Sequence, residues 1–78
     1  MPPVTIYTTS LCPYCQMAKV FLKQHNIAYT EHNVAEDMQA QKEMIEKSKQ
    51  MGVPVIDIDG EIVIGFDKKR MKELLKID

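Results

Sequence analysis

Two cysteines, Cys12 and Cys15, are the residues of this chain whose type and spacing could support covalent chemistry. They are the only cysteines among 78 residues, and they stand three positions apart in the segment SLCPYCQ, residues 10–16. Residues at positions i and i+3 share a face of a helix, so both sulfur atoms can point to the same side of a first helical turn. Pro13 favours a helix start at this point, because proline is well tolerated at the first helical position.

A cysteine at the start of a helix is suited to nucleophilic chemistry. Cys12 is expected at or near the N-cap, beside free backbone N–H groups and the positive end of the helix dipole. This position stabilises a thiolate and lowers the cysteine pKa from its usual value of about 8.5. We interpret the pair as a working dithiol rather than a structural brace, since closing so short a loop constrains little of the unfolded chain.

The composition is that of a small globular domain. We expect residues 1–78 to form one domain, with 45% hydrophobic residues supplying a single modest core. The net charge of −1 provides no general attraction to nucleic acid or to anionic membranes. Met1-Pro2-Pro3 lacks the basic region of a signal peptide, and no apolar stretch is long enough to span a bilayer. A reducing cytoplasm is therefore the expected location.

The elements that must position the dithiol follow the order strand, helix, strand, helix, strand, strand, helix. We predict strands at residues 4–8, 27–32, 53–58 and 61–64, and helices at 13–25, from 37 to about 50, and from 67 onward. Asn26 and Gly52 are expected to end the first two helices, and Asp59-Gly60 predicts a type I′ hairpin turn. The prediction is an α/β fold with a four-stranded mixed sheet flanked by helices on both faces.

The dithiol and two further segments resemble those of the glutaredoxin family. Cys12-Pro13-Tyr14-Cys15 is similar to the family's active site, Val53-Pro54 to its cis-proline step, and Gly65-Phe66-Asp67 to its loop before the last helix. The similarity covers nearly the whole chain and implies a thioredoxin fold, β-α-β-α-β-β-α. It also implies a thiol–disulfide oxidoreductase without a tightly bound cofactor, which uses glutathione as reductant or substrate.

The resemblance implies roles for particular residues. Cys12 attacks a target disulfide, and Cys15 then attacks Cys12 and releases the reduced product, which leaves a redox-active disulfide between them. The positions implied to contact substrate are Thr9, Pro13, Tyr14, Val53, Pro54, Gly65, Phe66 and Asp67. A cis bond at Pro54 is expected to leave the backbone of Val53 able to pair with the substrate like an added strand. We expect a reduction potential of about −200 to −230 mV.

The surroundings of the dithiol depart from the glutathione-using pattern. Thr9 stands where glutaredoxins often carry a lysine, Gly52 replaces the family's threonine before Val-Pro, and residues 64–68 lack one glycine and one acid. These loops resemble those of the small redoxins that donate electrons to ribonucleotide reductase and are recharged by thioredoxin reductase. The expected electron donor is therefore either glutathione or thioredoxin reductase, and the expected substrates are disulfide-containing proteins.

An iron–sulfur cluster carrier with Cys12 as a ligand is the alternative outside the enzymes. Pro13 counts against it, and such clusters need four thiolates where this chain has two cysteines. A zinc site needs two further ligands, and His25 and His32 show no partner pattern, so they are interpreted as surface or packing residues and no metal is expected. Since the sequence shows no exposed apolar patch that argues for an oligomer, we expect a monomer.

Overall fold

The computed structural model describes residues 3–77, which form a four-stranded mixed sheet and three helices. The elements are β1 (Val4–Thr8), α1 (Pro13–Gln24), β2 (Thr30–Asn33), α2 (Met38–Ser48), β3 (Val55–Ile58), β4 (Glu61–Ile64) and α3 (Lys68–Leu75). The strand order is β2-β1-β3-β4, with β1 parallel to β2 and the other two pairs antiparallel. The predicted fold is confirmed. Met1 and Pro2, where a signal peptide was considered above, lie outside the described residues, as does Asp78.

One face of the sheet packs against α1 and α3. The cluster between them contains Val4, Ile6, Ala18, Phe21, Leu22, Ile27, Ile56, Ile58, Val63, Met71 and Leu75. Successive residues of a strand point to opposite faces, so Thr8 faces the same side as Val4 and Ile6, where it is 1% exposed. Cys15 is the first residue of the buried stripe of α1. The stripe that fastens α1 to the sheet therefore also buries the second cysteine.

The opposite face of the sheet is covered by α2. The cluster there contains Tyr7, Val34, Ala40, Met44 and Val55. The predicted arrangement with helices on both faces is therefore confirmed. Met38 does not belong to this cluster, since it is 68% exposed. It is the first residue of the helix and precedes Ala40, where the helix first reaches the sheet.

Three predicted boundaries are wrong by a few residues. The helix α2 ends at Ser48, and Lys49 rather than Gly52 takes the left-handed conformation, with φ 62°. The hydroxyl of Ser48 lies 2.6 Å from the carbonyl oxygen of Met44, where it competes for the backbone acceptor of the last helical turn. The strand β2 begins at 30 rather than 27, because the N–H of Ile27 donates to Leu22 O at the end of α1.

The third boundary is the start of β3, which lies at Val55 rather than at 53. Pro54 has no N–H to donate to a strand ladder, so the regular pairing begins one residue later. The two remaining turn predictions are confirmed. Asn26 has φ 57° directly after α1, and Asp59 and Gly60 have φ 51° and 90°, as a type I′ turn requires.

Candidate active site

Cys12 and Cys15 lie at the start of α1 and are joined as a disulfide. Cys12 is the N-cap, with φ −136° and ψ 99°, and Pro13 is the first helical residue. The Sγ atom of Cys12 accepts a hydrogen bond from the backbone N–H of Cys15 at 3.1 Å. The first turn of α1 carries no acidic side chain. The positive end of the helix dipole is therefore unopposed within this turn, which favours a thiolate on Cys12.

The two cysteine residues differ in their exposure to solvent, although both belong to the buried residues. Cys12 is 9% exposed and Cys15 is 0% exposed. The difference arises because Cys12 caps the helix, whereas Cys15 belongs to its buried stripe. The Cα atoms of the pair are 5.2 Å apart. An incoming disulfide can thus approach Cys12 from outside, while Cys15 is within reach of Cys12 from inside.

Two of the loops predicted to bind substrate contact each other near the end of β1. The Val53–Pro54 bond is cis, as predicted. The N–H of Gly65 donates to the carbonyl oxygen of Pro54 at 2.8 Å. Gly65 has φ 79°, a conformation that favours glycine. The register of β1 with β3 places Pro54 next to the end of β1, where the cysteine loop begins.

The other predicted binding residues lie around the same end of the sheet. Asp67 is the N-cap of α3, and its Oδ1 accepts a hydrogen bond from a backbone N–H of the first turn at 3.1 Å. The half-buried ring of Phe66 meets that of Phe21 edge to face, with the centroids 5.9 Å apart. Tyr14 is 62% exposed, and Thr9 is half-buried at the end of β1. The contacts of these residues with a substrate stay predictions.

Gln50, which the sequence pattern does not single out, holds the segment before the cis-proline. Its Nε2 donates to the carbonyl oxygen of Gly52 at 3.0 Å, and its Oε1 accepts from the N–H of Gly52 at 2.6 Å. A Cβ atom on Gly52 would lie 2.7 Å from Gln50 Oε1, so a larger residue here would displace the amide. Gly52, in place of the threonine usual in the family, therefore allows this pair of hydrogen bonds.

An apolar groove of about 330 Å³ lies between α1 and the Phe66 loop. Its apolar lining consists of Met17, Val20, Phe21 and Phe66, and its polar lining of Gln16, Gln24 and Lys68. Outside the groove, Leu11 precedes Cys12 and is 95% exposed, and Tyr14 lies one helical turn before Met17 and is 62% exposed. The sequence did not predict this exposed apolar groove. Met17 and Val20 are three residues apart on α1 and share its outer face, which a search for contiguous apolar runs does not detect.

A polar cluster of Thr8, Lys19 and Glu31 joins β1, α1 and β2 on the dithiol side of the sheet. Oε2 of Glu31 accepts hydrogen bonds from Thr8 Oγ1 at 2.8 Å and from Lys19 Nζ at 3.0 Å. Burial by itself raises the pKa of Glu31, but the hydrogen bonds from Lys19 and Thr8 outweigh it and hold this pKa below its ordinary value. Glu31 is therefore ionised at neutral pH and paired with a cation.

A second polar cluster lies on the α2 face of the sheet. Lys47 Nζ donates to Asp57 Oδ2 at 2.8 Å and to Tyr7 Oη at 3.0 Å. The hydrogen bond to Asp57, followed by that to Tyr7, raises the pKa of Lys47 above its ordinary value of 10.5.

The two histidines each lie against an aromatic ring. The centroid of the Tyr7 ring is 5.6 Å from that of His32, and the ring of His25 packs on that of Phe21. These partly buried positions and ring contacts agree with the interpretation of both histidines as surface or packing residues.

Residues 3–77 contain neither a metal-binding cluster nor a membrane-spanning helix. Nowhere in that range do three or more His, Cys, Asp or Glu side chains form a group that could hold a metal ion. None of the helices α1 to α3 combines the length and the apolar character that crossing a membrane requires.

The chain is similar to known proteins over nearly its whole length. Residues 4–63 match the family model described as Glutaredoxin. A glutaredoxin-like 8.6 kDa protein from the rubredoxin operon of Clostridium pasteurianum is 47% identical over 73 residues, covering 94% of this chain and 97% of that protein. The glutaredoxin-like protein NrdH of Lactococcus lactis subsp. cremoris is 39% identical over 77 residues, with coverage of 95% and 97%.

The fold also matches solved structures. The crystal structure of a mutant of the thioredoxin-like protein BC3987 superposes with a TM-score of 0.93 at 35% identity, and the match covers 100% of both chains. The element order, the mixed sheet and the position of the cysteine pair thus agree with a thioredoxin-like fold.

Proposed function

The chain belongs to the glutaredoxin family and is a thiol–disulfide oxidoreductase, and from this premise we propose that Cys12 is its nucleophile and Cys15 its resolving cysteine. The observation that carries the proposal is the difference in access: Cys12 caps α1 and is 9% exposed, whereas Cys15 is 0% exposed. The thiolate is the reactive form of cysteine, and the N-terminus of α1 stabilises it at Cys12.

The proposed cycle consists of two exchange steps. The Cys12 thiolate attacks one sulfur of a target disulfide, so that a Cys12–target bond forms as the target bond breaks, and the other target sulfur leaves and takes up a proton. Cys15 then loses its proton and attacks Cys12 Sγ. The Cys12–Cys15 bond forms, the mixed disulfide breaks, and the second target thiol leaves. Two electrons pass from the dithiol to the target, and a reductant restores the dithiol by the reverse exchange.

The target in this proposal is a disulfide-containing protein or a glutathione mixed disulfide. An extended substrate segment pairs with the backbone of Val53 in this proposal, because Val53 and Pro54 lie beside the end of β1 from which the cysteine loop starts. Tyr14 and Phe66 would contact the side chains next to the target disulfide, since both lie around the dithiol. Thr9, Pro13, Gly65 and Asp67 complete the proposed substrate contacts.

Glutathione is the first candidate for the reductant, on the strength of membership in the glutaredoxin family. The second candidate is a thioredoxin reductase, in which case the protein acts as a redoxin and supplies electrons to an enzyme such as ribonucleotide reductase. The exposed apolar surface of Leu11, Tyr14, Met17 and Val20 favours this second candidate, because a protein donor can cover it whereas a charged tripeptide gains little from it. The 39% identity with an NrdH protein also favours it.

Parallel measurements of NADPH oxidation test the reaction and distinguish the donors. One assay contains glutathione and glutathione reductase, and the other contains thioredoxin reductase, with the same protein disulfide as final acceptor. We expect turnover in the glutathione assay and its loss in Cys12→Ser. Turnover in the thioredoxin reductase assay alone would establish the second candidate. Absence of turnover in both assays, with a folded and fully reduced protein, would contradict the proposal.

The setting in which this chemistry operates follows from the need to keep a dithiol reduced. We place the protein in the cytoplasm, where reductants maintain thiols, as a single domain and a monomer that requires no tightly bound cofactor or metal. Its partners would be the reductant and disulfide-containing proteins. Nucleic acid and membranes have no part in the proposal, because a net charge of −1 offers neither of them a general attraction.

A further inference from the structure

The cluster of Thr8, Lys19 and Glu31 lies under the helix that carries the dithiol, yet the proposed cycle does not use it. We propose that Lys19 and Glu31 form a balanced pair of opposite charges, in which each charge offsets the effect of the other on the stability of the Cys12 thiolate and thereby on the reduction potential of the dithiol. The inference rests on the proposed function, because it takes Cys12 as the reactive group. Neither residue contacts the reacting sulfur atoms in this account, so both act as positioning residues.

The position of the pair follows from the helix and the sheet. Lys19 is four residues after Cys15 on α1, so the two side chains lie on the same helix face one turn apart. Thr8 is the last residue of β1, is 1% exposed and faces α1. Its hydroxyl donates to Glu31 Oε2 at 2.8 Å and thus holds the carboxylate over the end of the sheet where the cysteine loop begins.

The two charges act on the thiolate in opposite directions. The ammonium group of Lys19 stabilises a nearby negative sulfur, and the carboxylate of Glu31 destabilises it. With Nζ and Oε2 3.0 Å apart, their fields largely cancel at a distance. The side chain of Lys19 is only 18% exposed and that of Glu31 36% exposed, so solvent screens the pair less than fully exposed charges. Removal of Glu31 therefore leaves the charge of Lys19 uncompensated. Removal of Lys19 leaves Glu31 with only the charge of Lys23, which makes no hydrogen bond to it.

Other ionisable groups lie on the elements around the dithiol, and the test must separate their effects. Tyr14 is on α1, and Asp67 and Lys68 begin α3. Tyr7 of β1 and His32 of β2 stack with each other on the α2 face, on the far side of the sheet. The segment 51–55 contains no ionisable side chain. Substitution of Lys19 or Glu31 leaves all of these groups in place.

The expected effects have opposite signs. Lys19 is seven residues after Cys12, which corresponds to about 10 Å along the helix axis. A unit charge at roughly this distance in partly screened surroundings shifts the pKa of a thiol by about half a unit to one unit. Lys19→Gln should raise the pKa of Cys12 by this amount and make the reduction potential more negative. Glu31→Gln should lower the pKa and make the potential less negative, by at most about 30 mV for a tenfold change. The variant that carries both Lys19→Gln and Glu31→Gln should have a Cys12 pKa and a reduction potential close to those of the wild type. Lys19→Arg, which keeps the positive charge, should also have wild-type values of both.

The test is a titration of the reduced protein by thiolate absorbance, together with redox equilibration against glutathione, for the wild type and each variant. Lys42→Gln and Glu43→Gln are matched controls, since they change the same charges on exposed positions of α2, across the sheet from the dithiol. Opposite shifts in Lys19→Gln and Glu31→Gln, each larger than in its control, would support the proposal. Shifts in the same direction, as a purely structural role would cause, or shifts no larger than in the controls would overturn it.

A separate variant distinguishes this failure from failure of the proposed function. Cys12→Ser identifies the titrating thiol, because its low-pKa transition should disappear. If the transition persists in Cys12→Ser, the assignment of Cys12 as nucleophile is wrong, and the charge-balance proposal is overturned with it. If the transition disappears but the paired variants show no opposite shifts, only the charge-balance proposal is overturned.

Discussion

Replacement of Gln50 by alanine should weaken the binding of protein substrates while leaving the chemistry at the cysteines intact. The change removes the hydrogen bonds of 2.6 Å and 3.0 Å that join the side-chain amide to Gly52, one residue before Val53. Each such bond contributes about 0.5–1.5 kcal/mol net, and the exposure of Gly52 favours the lower half of this range. The ordered form of the segment before Pro54 should thus lose about 1–2 kcal/mol.

This loss translates into a change in KM. At about 1.4 kcal/mol per factor of ten, the KM for a protein disulfide should rise about 5–30-fold. The kcat should change little, because Cys12, Cys15 and α1 are untouched, which is the pattern of lost uniform binding. The assay is steady-state NADPH oxidation over a range of acceptor concentrations, with thermal unfolding measured in parallel. Gln39→Ala, at an exposed position of α2, is the control and should leave KM unchanged.

A double-substitution cycle makes the test stricter. A Cβ atom at position 52 would lie 2.7 Å from Gln50 Oε1, so Gly52→Ala should displace the amide and raise KM in the same way. Since both substitutions break the same contact, the double variant should be no worse than the poorer single variant. The reasoning is refuted if KM in Gln50→Ala stays within twofold of the wild type, or if the two effects on KM multiply.

Three further predictions concern stability and the choice of donor. Met44→Ala should lower the free energy of unfolding in denaturant by about 2–5 kcal/mol, because this side chain is 0% exposed, whereas Met38→Ala, at a site 68% exposed, should change it by less than about 0.5 kcal/mol. Because the pKa of Lys47 is raised in the folded protein, its stabilising contribution is fully present below about pH 10.5 and is lost as the pH rises further. The difference in unfolding free energy between wild type and Lys47→Met should be about 1 kcal/mol or less near neutral pH, because the Lys47–Asp57 pair is partly exposed. This difference should be constant around neutral pH and should shrink in strong alkali. Val20→Asp places a charge in the apolar groove at a site that is 51% exposed. Because the groove is the surface that a protein donor would cover, this substitution should slow turnover with thioredoxin reductase more than turnover with glutathione. Equal effects in both assays would exclude the groove as a surface for the protein donor.

The parts of the fold that could be predicted from the sequence depend on local patterns. Pro13 after Cys12 marks a helix start, and Asp59-Gly60 between two β-branched runs marks a hairpin, because each uses conformational preferences of two or three adjacent residues. Asp67 as the cap of α3 is a signal of the same kind. The dithiol could be located for this reason, and its structural setting was correctly predicted.

The surroundings of the dithiol depend on contacts between distant residues. Thr8 and Glu31 are 23 positions apart and meet only because β1 pairs with β2 in a register that sets Ile6 opposite Glu31. The apolar groove likewise requires α1 and the Phe66 loop to lie side by side. The end of α2 was misplaced because Gly52 is the stronger local stop signal, whereas the hydroxyl of Ser48 and the left-handed Lys49 end the helix earlier.

The division of labour between the two cysteines is the central claim, and covalent trapping tests it most directly. Reduced Cys15→Ser and Cys12→Ser proteins are each mixed with a disulfide-bonded protein substrate, and the products are identified by mass spectrometry under non-reducing conditions. The account predicts that Cys15→Ser accumulates a one-to-one mixed disulfide through Cys12, because the resolving thiol is absent, and that Cys12→Ser forms none. A mixed disulfide through Cys15 in the Cys12→Ser protein, at a comparable rate, would contradict it.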